Sequence, residues 1–340
     1  MGWSVADVPG QGGRVAVVTG ASGGVGLQTA RVLAERGAHV VLACRSVERG
    51  RAAAARIGGS TEVVRLDLAS LASVREAAGR VRERHGRLDV LVNNAGVMFP
   101  SYRRTEDGFE AHVGVNHLGH FAWTGLLVDL LAGVAGSRVV TVASLAHRVG
   151  VGGVDAGRAR SVRGRGSAVA YGRSKLANLL FARGLQHRLA VAGAATVSLA
   201  AHPGLSPTGL WEGRAPAVWR PVAAAGLRWL SHPVADAAGP SLRAATEAGL
   251  PGGVYVGPSG VFGSRGAPVV GVASSRAARD VVAQARLWAL SEELTGVRYP
   301  LGAAGAEGGA GAGGWPRHGP AGGGGGVRGG GYSGGGGPAG

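Results

Sequence analysis

Tyr171 and Lys175 stand four residues apart in the stretch Tyr171-Gly-Arg-Ser-Lys175, a spacing that puts both side chains on one face of a helix. Lys175 is the only lysine in the chain; the other cationic side chains among its 36 Lys and Arg residues are all arginine. Arginine serves wherever a plain positive charge suffices, so the one exception points to chemistry that needs a compact ammonium on a flexible stem. A tyrosine hydroxyl one helical turn away is a group that such an ammonium can acidify. A free phenol has a pKa of about 10, so ionising it near pH 7 costs roughly 4 kcal/mol at about 1.36 kcal/mol per unit, and a neighbouring cation lowers that cost. The pair is a candidate proton donor and acceptor.

The elements that must position this pair can be read from the hydrophobic pattern. Arg14 to Thr19 is short, β-branched and apolar, a buried strand that runs into Gly20-Ala-Ser-Gly-Gly24-Val-Gly26. A helical pattern follows at once, with Val25, Thr29, Val32 and Leu33 on one side and Gly37 closing it. Strand, glycine turn and helix together make an anion site: the glycines let backbone N–H groups approach a diphosphate, and the helix dipole faces it. The second strand, His39 to Ala43, ends in Cys44-Arg45. An acidic residue there would bind a ribose 2′-hydroxyl, whereas an arginine pairs with a 2′-phosphate. Arg45 therefore reads either as a discriminator for NADP(H) or as one more surface arginine of an Arg-rich chain.

A third strand, Thr61 to Leu66, leads to Asp67-Leu68, and a helical pattern runs from Leu71 to about His85. Leu88 to Val92 forms a fourth strand ending in Asn93-Asn94-Ala95-Gly96, and a helical region holds Asn116-His117-Leu118-Gly119-His120. The fifth strand, Arg138 to Val142, delivers Ala143-Ser144; Val149 to Gly166, rich in Gly and Arg, reads as a solvated loop. A long helix then carries Tyr171 and Lys175 above an apolar stripe of Ala177, Phe181, Leu185 and Leu189. The sixth strand, Thr196 to Ala200, ends in Ala201-His202-Pro203-Gly204. From Leu205 to about Pro233 the pattern loosens, and Trp211, Trp219 and Trp229 there either pack or line an apolar pocket. A helix from about Ala235 to Thr246, a seventh strand around Gly253 to Val256 and a last helix around Ala277 to Leu294 complete the pattern.

This alternation predicts an α/β fold of one domain, a Rossmann-type, doubly wound, seven-stranded parallel sheet with helices on both faces, over residues 13–300 after an N-terminal extension of residues 1–12. Ligands of such sheets sit beyond the C-terminal strand ends, where the clusters named above fall. The glycine-dominated segment 301–340 cannot repay its ordering entropy and is expected to be disordered.

A net charge of +16 and a pI near 11.5 raise nucleic acid or an anionic membrane as partners. The arginines are scattered rather than gathered in one run, Arg158 to Arg165 apart, so no nucleic-acid partner is expected; steep salt dependence of DNA or RNA binding would support that rival reading. An anionic cofactor suits the same charge. Cys44 is the single cysteine, which excludes an internal disulfide framework and a Cys-cluster metal site, and no metal ligand is assigned. The opening residues lack a secretory signal and no run approaches ~18 consecutive apolar residues, so no stable membrane insertion and a cytoplasmic location are expected.

Together these residues resemble the short-chain dehydrogenase/reductase family over roughly residues 12 to 298. The family's Thr-Gly-x-x-x-Gly-x-Gly motif matches Thr19-Gly20 through Gly24 and Gly26, and its Asn-Asn-Ala-Gly motif stands at 93–96. Its helix asparagine matches Asn116, its serine Ser144, its Tyr-x-x-x-Lys the stretch 171–175, and its Pro-Gly the pair 203–204. Leu42-Ala-Cys-Arg45, Val115-Asn-His-Leu-Gly-His-Phe121 and Ser174-Lys-Leu-Ala-Asn178 are similar to the retinol-dehydrogenase-like and protochlorophyllide-reductase-like branch. The resemblance implies an oxidoreductase that prefers NADP(H), with NAD(H) as the second option, and interconverts an alcohol and a carbonyl on a small or bulky apolar substrate. It implies Tyr171 as general acid/base, Ser144 as hydrogen-bond partner of the substrate oxygen, Lys175 on the nicotinamide ribose and Asn116 holding a water that links Lys175 to solvent. The cofactor-binding positions it implies are Gly20, Ser22, Gly24, Val25, Gly26, Arg45, Asp67, Leu68, Asn94, Ala95, Gly96, Tyr171, Lys175, Pro203, Gly204 and Thr208. A homo-oligomer is implied by family analogy. Ser22-Gly23 brings no basic residue into the glycine loop, so selection of the 2′-phosphate rests on Arg45. The alternative is a catalytically silent NADP(H)-binding sensor or scaffold on the same fold, against which the intact Ser-Tyr-Lys-Asn set argues.

Overall fold

A computed structural model of the chain describes residues 2–98, 104–150, 152–161, 167–204, 234–260 and 263–301. Its centre is one eight-stranded sheet in the order β3-β2-β1-β4-β5-β6-β7-β8. The strands are β1 (Val15–Thr19), β2 (His39–Cys44), β3 (Thr61–Arg65), β4 (Val90–Asn93), β5 (Arg138–Val142), β6 (Val197–Ala201), β7 (Tyr255–Pro258) and β8 (Pro268–Val270). Pairing is parallel from β3 through β7 and antiparallel between β7 and β8. The expectation of seven parallel strands is thus corrected by one edge strand. Its three residues are too few to show a period, and its leading proline is a residue that sheets admit at strand starts and edges.

The two-sided burial of the strands explains their nearly continuous apolar runs. Successive side chains point to opposite faces. Ala16 and Val18 of β1, Val40 and Leu42 of β2, and Val90 and Val92 of β4 enter one core, which α1 (Gly24–Glu35) and the helix Gly239–Thr246 cover. Val17, Val41 and Leu91 enter the other, under α2's opposite number α3 (Leu71–Arg84), where α2 is Val47–Ile57 on the first face. That second core also takes Phe181, Leu185 and Leu189 of the long helix Ser167–Val191, three members of the predicted stripe. Phe121, Phe181, Trp288 and Tyr299 pack ring to ring there, and the Tyr299 hydroxyl donates to the Phe121 carbonyl at 2.7 Å, tying the C-terminal helix Val281–Thr295 to the body.

Two further details differ from expectation, and the N-terminal extension is anchored. The Gly- and Arg-rich stretch read as a loop contains a short helix, Ala156–Arg160. Asp155 caps it by accepting from the Arg158 N–H at 2.8 Å, and its buried Ala159 packs in a cluster with Phe109, Val113 and Leu118. The helix expected from about Ala235 to Thr246 is two pieces, Val234–Ala237 and Gly239–Thr246, with Pro240 opening the second. Residues 2–12 are not loose: Val8 and Gln11 are buried, and the Arg36 guanidinium donates to the Ala6 carbonyl at 2.8 Å. The tail 302–340 lies outside the described residues, as do Leu205 to Pro233 with their three tryptophans. Among the described residues no helix is long and apolar enough to cross a membrane.

One hydroxyl ties the strand ends together. Thr19 Oγ1 accepts from the backbone N–H groups of Asn94 at 2.9 Å and Ala95 at 3.0 Å. With both lone pairs taken, its proton faces His120 Nε2 at 2.9 Å, and His120 Nδ1 faces the Asn116 carbonyl at 3.1 Å. A neutral imidazole satisfies this chain only with its proton on Nδ1, so the network sets the tautomer. Asn116 and His117 lie in a π-helical turn, Gly114–Leu118, between short α-helical pieces Ala111–Val113 and Gly119–Gly125.

Burial holds both histidines of this helix neutral. It lowers His120 to about 4, with the Lys175 charge adding to the effect, and His117 to about 3, with His120 adding. The unfolded chain takes up these protons near pH 6.5 and the folded chain only near 4 and 3, so stability rises with pH across that window and falls as pH drops through it. Between pH 7.5 and about pH 5, each of the two histidines removes about 2 kcal/mol of unfolding free energy. Urea midpoints measured at the two pH values test this, and His117→Phe should flatten the slope.

Candidate active site

The glycine turn after β1 shows why its residues are glycines. Gly20 and Gly24 have φ values of 69° and 56°, in the left-handed region that glycine occupies without cost. A Cβ on Gly26 would stand 2.6 Å from the Gly20 carbonyl oxygen and closer still to Asn94 Nδ2, which itself donates to the Thr19 carbonyl at 2.9 Å. The turn and the β4 exit therefore interlock. The first helix begins on Gly23, whose position offers no side chain to cap the free N–H groups. Those donors and the positive end of the helix dipole border a cavity of about 990 Å³.

Tyr171 and Lys175 lie on the helix Ser167–Val191, across the cavity from the glycine turn. Lys175 is buried; its Nζ donates to the Val142 carbonyl at 2.9 Å and stands 5.8 Å from the centre of the Tyr171 ring. Asn178, one turn on, donates to the same carbonyl at 3.0 Å. Burial lowers Lys175 to about 8. Burial also raises the Tyr171 phenol, against a hydrogen bond from Ser144 that lowers it. In the structure desolvation outweighs the other influences on the phenol, which is held in its protonated form. Ser144 sits at the exit of β5, and its hydroxyl also accepts from the Ala146 N–H at 3.2 Å, which fixes the oxygen beside Tyr171.

Asn116 stands behind the cavity wall. Its Oδ1 accepts from the Val97 N–H at 2.7 Å, and its Nδ2 donates to the Val97 carbonyl at 3.0 Å and to Ser174 Oγ at 2.9 Å. The Ser174 hydroxyl in turn donates to the Tyr171 carbonyl at 2.8 Å. The amide thus clamps the segment after β4 to the helix of Tyr171 and Lys175. A Cβ on Gly96 would lie 3.2 Å from Asn116 Oδ1 and 3.6 Å from Lys175 Nζ, so the backbone of the Asn-Asn-Ala-Gly segment passes close over the lysine.

The remaining sequence-derived positions, Ser22, Val25, Arg45, Asp67, Leu68, Asn94, Ala95, Pro203 and Gly204, line the same cavity. Thr208 falls outside the described residues. Sequence reasoning missed Arg49, whose Nη2 lies 3.9 Å from where a Gly23 Cβ would be. Arg45 and Arg49 border one end of the cavity together, the second cation arriving from α2 rather than from the glycine loop itself. Its place in the first turn of α2, three residues past the Ser46 cap, was an available signal, masked by the abundance of arginine. Met98, Leu145, Val149 and Ala168 give the Tyr171 end apolar walls that motif reading did not identify.

Comparison with known proteins agrees with this geometry. The short chain dehydrogenase family model matches residues 14–217. Retinol dehydrogenase 12 of Mus musculus is 46% identical over 201 residues, 57% of this chain and 61% of that protein. Retinol dehydrogenase 13 of Homo sapiens is 45% identical over 212 residues, 61% of this chain and 62% of that protein. The chain thus matches somewhat under two thirds of the length of these relatives. Among solved structures, an uncharacterised protein from Mycobacterium paratuberculosis superposes with a TM-score of 0.73 at 42% identity, covering 88% of this chain and all 100% of that one. RhlG of Pseudomonas aeruginosa, in an NADP active-site complex, superposes with a TM-score of 0.56 at 28% identity, covering 72% of this chain and 94% of that one. With its glycine turn, strand-end asparagines and Ser-Tyr-Lys set in one cavity, the chain belongs to the short-chain dehydrogenase family, on the branch of its retinol-dehydrogenase-like members.

Proposed function

We propose that residues 13–300 form an NADP(H)-dependent oxidoreductase that interconverts an alcohol and a carbonyl on an apolar substrate. The observation that carries this reading is the convergence of Tyr171, Ser144 and Lys175 on one cavity whose far end presents an uncapped helix N-terminus and two guanidinium groups. The lining suits a dinucleotide: backbone N–H groups from Gly24 onward would hold the diphosphate, Asp67 and Leu68 would meet the adenine, and Asn94 to Gly96 would follow the nucleotide between them. Arg45 and Arg49 suit the 2′-phosphate, each through charge-assisted hydrogen bonds. Pro203 and Gly204, also on the cavity wall, would border the nicotinamide. The bound nicotinamide supplies or accepts the hydride.

The chain's own residues handle the proton. In carbonyl reduction the protonated Tyr171 gives its proton to the substrate oxygen as negative charge develops there, and Ser144 holds that oxygen by a hydrogen bond. The buried Lys175 ammonium stabilises the resulting phenolate. Alcohol oxidation runs the same proton path in reverse. Asn116 keeps the Val97 segment and the Tyr171 helix in register and is a positioning residue in this scheme. Leu145, Val149 and Met98 suit an apolar substrate, and the likeness to retinol dehydrogenases makes retinol one of the first alcohols to try. A reducing cytoplasmic setting suits the one buried thiol, Cys44, and pairing into a homodimer is read by family analogy.

Tyr171→Phe should lower kcat about 10²- to 10⁴-fold while NADPH affinity, followed by fluorescence titration, stays within about twofold. Full turnover in that variant would remove Tyr171 from the mechanism. Arg45→Ala and Arg49→Ala should each weaken NADPH binding about tenfold, the loss expected for one charge-assisted hydrogen bond, with NADH binding little changed. An unaltered NADPH-to-NADH affinity ratio in the double variant would locate the selectivity elsewhere.

A further inference from the structure

A second cluster of chemically capable side chains lies at the opposite end of the sheet. His39 is the first residue of β2, Glu62 the second of β3, and His85 the C-terminal cap of α3. Strand parity brings them together. His39 shares its sheet face with Val41 and Ala43, and Glu62 shares its face with Val64, all of which belong to the core beneath α3. The C-terminus of α3 descends onto that face and delivers His85. One ligand atom from each residue, a ring nitrogen of either histidine and a carboxylate oxygen, lies within 4.8 Å of the other two. The imidazole rings are 5.3 Å apart.

The surroundings of the trio are those of an organised set. Ser60 Oγ holds the His39 ring through Nδ1 at 2.7 Å, and Arg84 holds Glu62 Oε2 at 3.0 Å, which leaves Oε1 to face His85 Nε2 at 2.7 Å. Outer hydrogen bonds of this kind orient histidine and carboxylate ligands at metal centres. The carbonyl end of a 14-residue helix adds negative potential at the same point. All three groups are partly buried, so a cation would be partly desolvated yet reachable from solvent.

We propose that His39, Glu62 and His85 form a binding site for a divalent transition metal of the Zn²⁺ class, remote from the dinucleotide cavity. Two imidazoles and one carboxylate suit Zn²⁺ and its neighbours, whereas Mg²⁺ and Ca²⁺ take oxygen ligands. The metal replaces the proton shared between His85 Nε2 and Glu62 Oε1; that proton leaves to solvent or moves to His85 Nδ1. Water completes the coordination. The site fastens the start of β2 to β3 and to the end of α3, and takes no part in hydride transfer.

The test uses the full-length protein, freed of any affinity tag and stripped with EDTA. Zn²⁺ titrated by calorimetry is expected to bind with one equivalent per chain, and Co²⁺ to develop the visible absorption of a four- or five-coordinate ion. His39→Ala, His85→Ala and Glu62→Gln should each weaken Zn²⁺ binding about tenfold or more while leaving NADPH affinity unchanged. Circular dichroism melts confirm that each variant folds, and Glu62→Gln, the mildest change, serves if a histidine variant does not. Binding no tighter than millimolar in the parent protein would overturn the proposal. So would stoichiometric binding that survives intact in Glu62→Gln and in the variant lacking both histidines.

Discussion

The Thr19 hydroxyl is the point on which the arrangement of the site depends. It accepts from two consecutive backbone N–H groups at the exit of β4 and faces the neutral His120, which reaches the Asn116 carbonyl. A parallel sheet leaves its C-terminal strand ends as frayed loops unless something gathers their backbone polar groups, and buried groups left unpaired are costly. Here one side-chain oxygen gathers β1, β4 and the π-helical turn. From the same junction Asn94 reaches back to the Thr19 carbonyl and Asn116 reaches out to Val97 and Ser174. The glycine turn and the helix of Tyr171 are thereby placed by a single continuous hydrogen-bond system rather than by independent loops.

Desolvation sets the protonation states around that system. It lowers Lys175, His117 and His120 and raises Tyr171, each toward its neutral form. The exit of β5 tempers this by offering the Val142 carbonyl to Lys175 and the Ser144 hydroxyl to Tyr171. An apolar site therefore holds a phenol that keeps its proton beside an ammonium close to losing one. Small additions of charge or of hydrogen-bond donors shift this balance strongly, because the effective dielectric is low.

Much of this was legible in the sequence, for a physical reason. Strands buried on both faces are unbroken apolar runs, so a glycine, asparagine or serine at the end of one stands out, and Gly20, Asn94 and Ser144 all do. What escaped reading was tertiary. The three residues of β8 pair with β7 without any period of their own, and the helix Ala156–Arg160 exists because Asp155 caps it and Ala159 finds a cluster to enter. Arg49 was hidden by composition, since in a chain so rich in arginine one more in the first turn of a helix carries little information. The Asn116 amide is engaged with Val97 and Ser174, contacts that only the folded chain brings into reach.

The solitary lysine has a practical corollary. An amine that sheds its proton near pH 8 is nucleophilic under mild conditions, and this chain offers no other side-chain amine. Reductive amination, an aldehyde fixed by borohydride, has Lys175 as its one side-chain amine in 340 residues, on the wall of the cavity. A chromophore placed there by such a reagent would sit beside Tyr171. Every change in the occupancy of the site would alter its light absorption, and the protein would carry its own reporter without a residue being replaced.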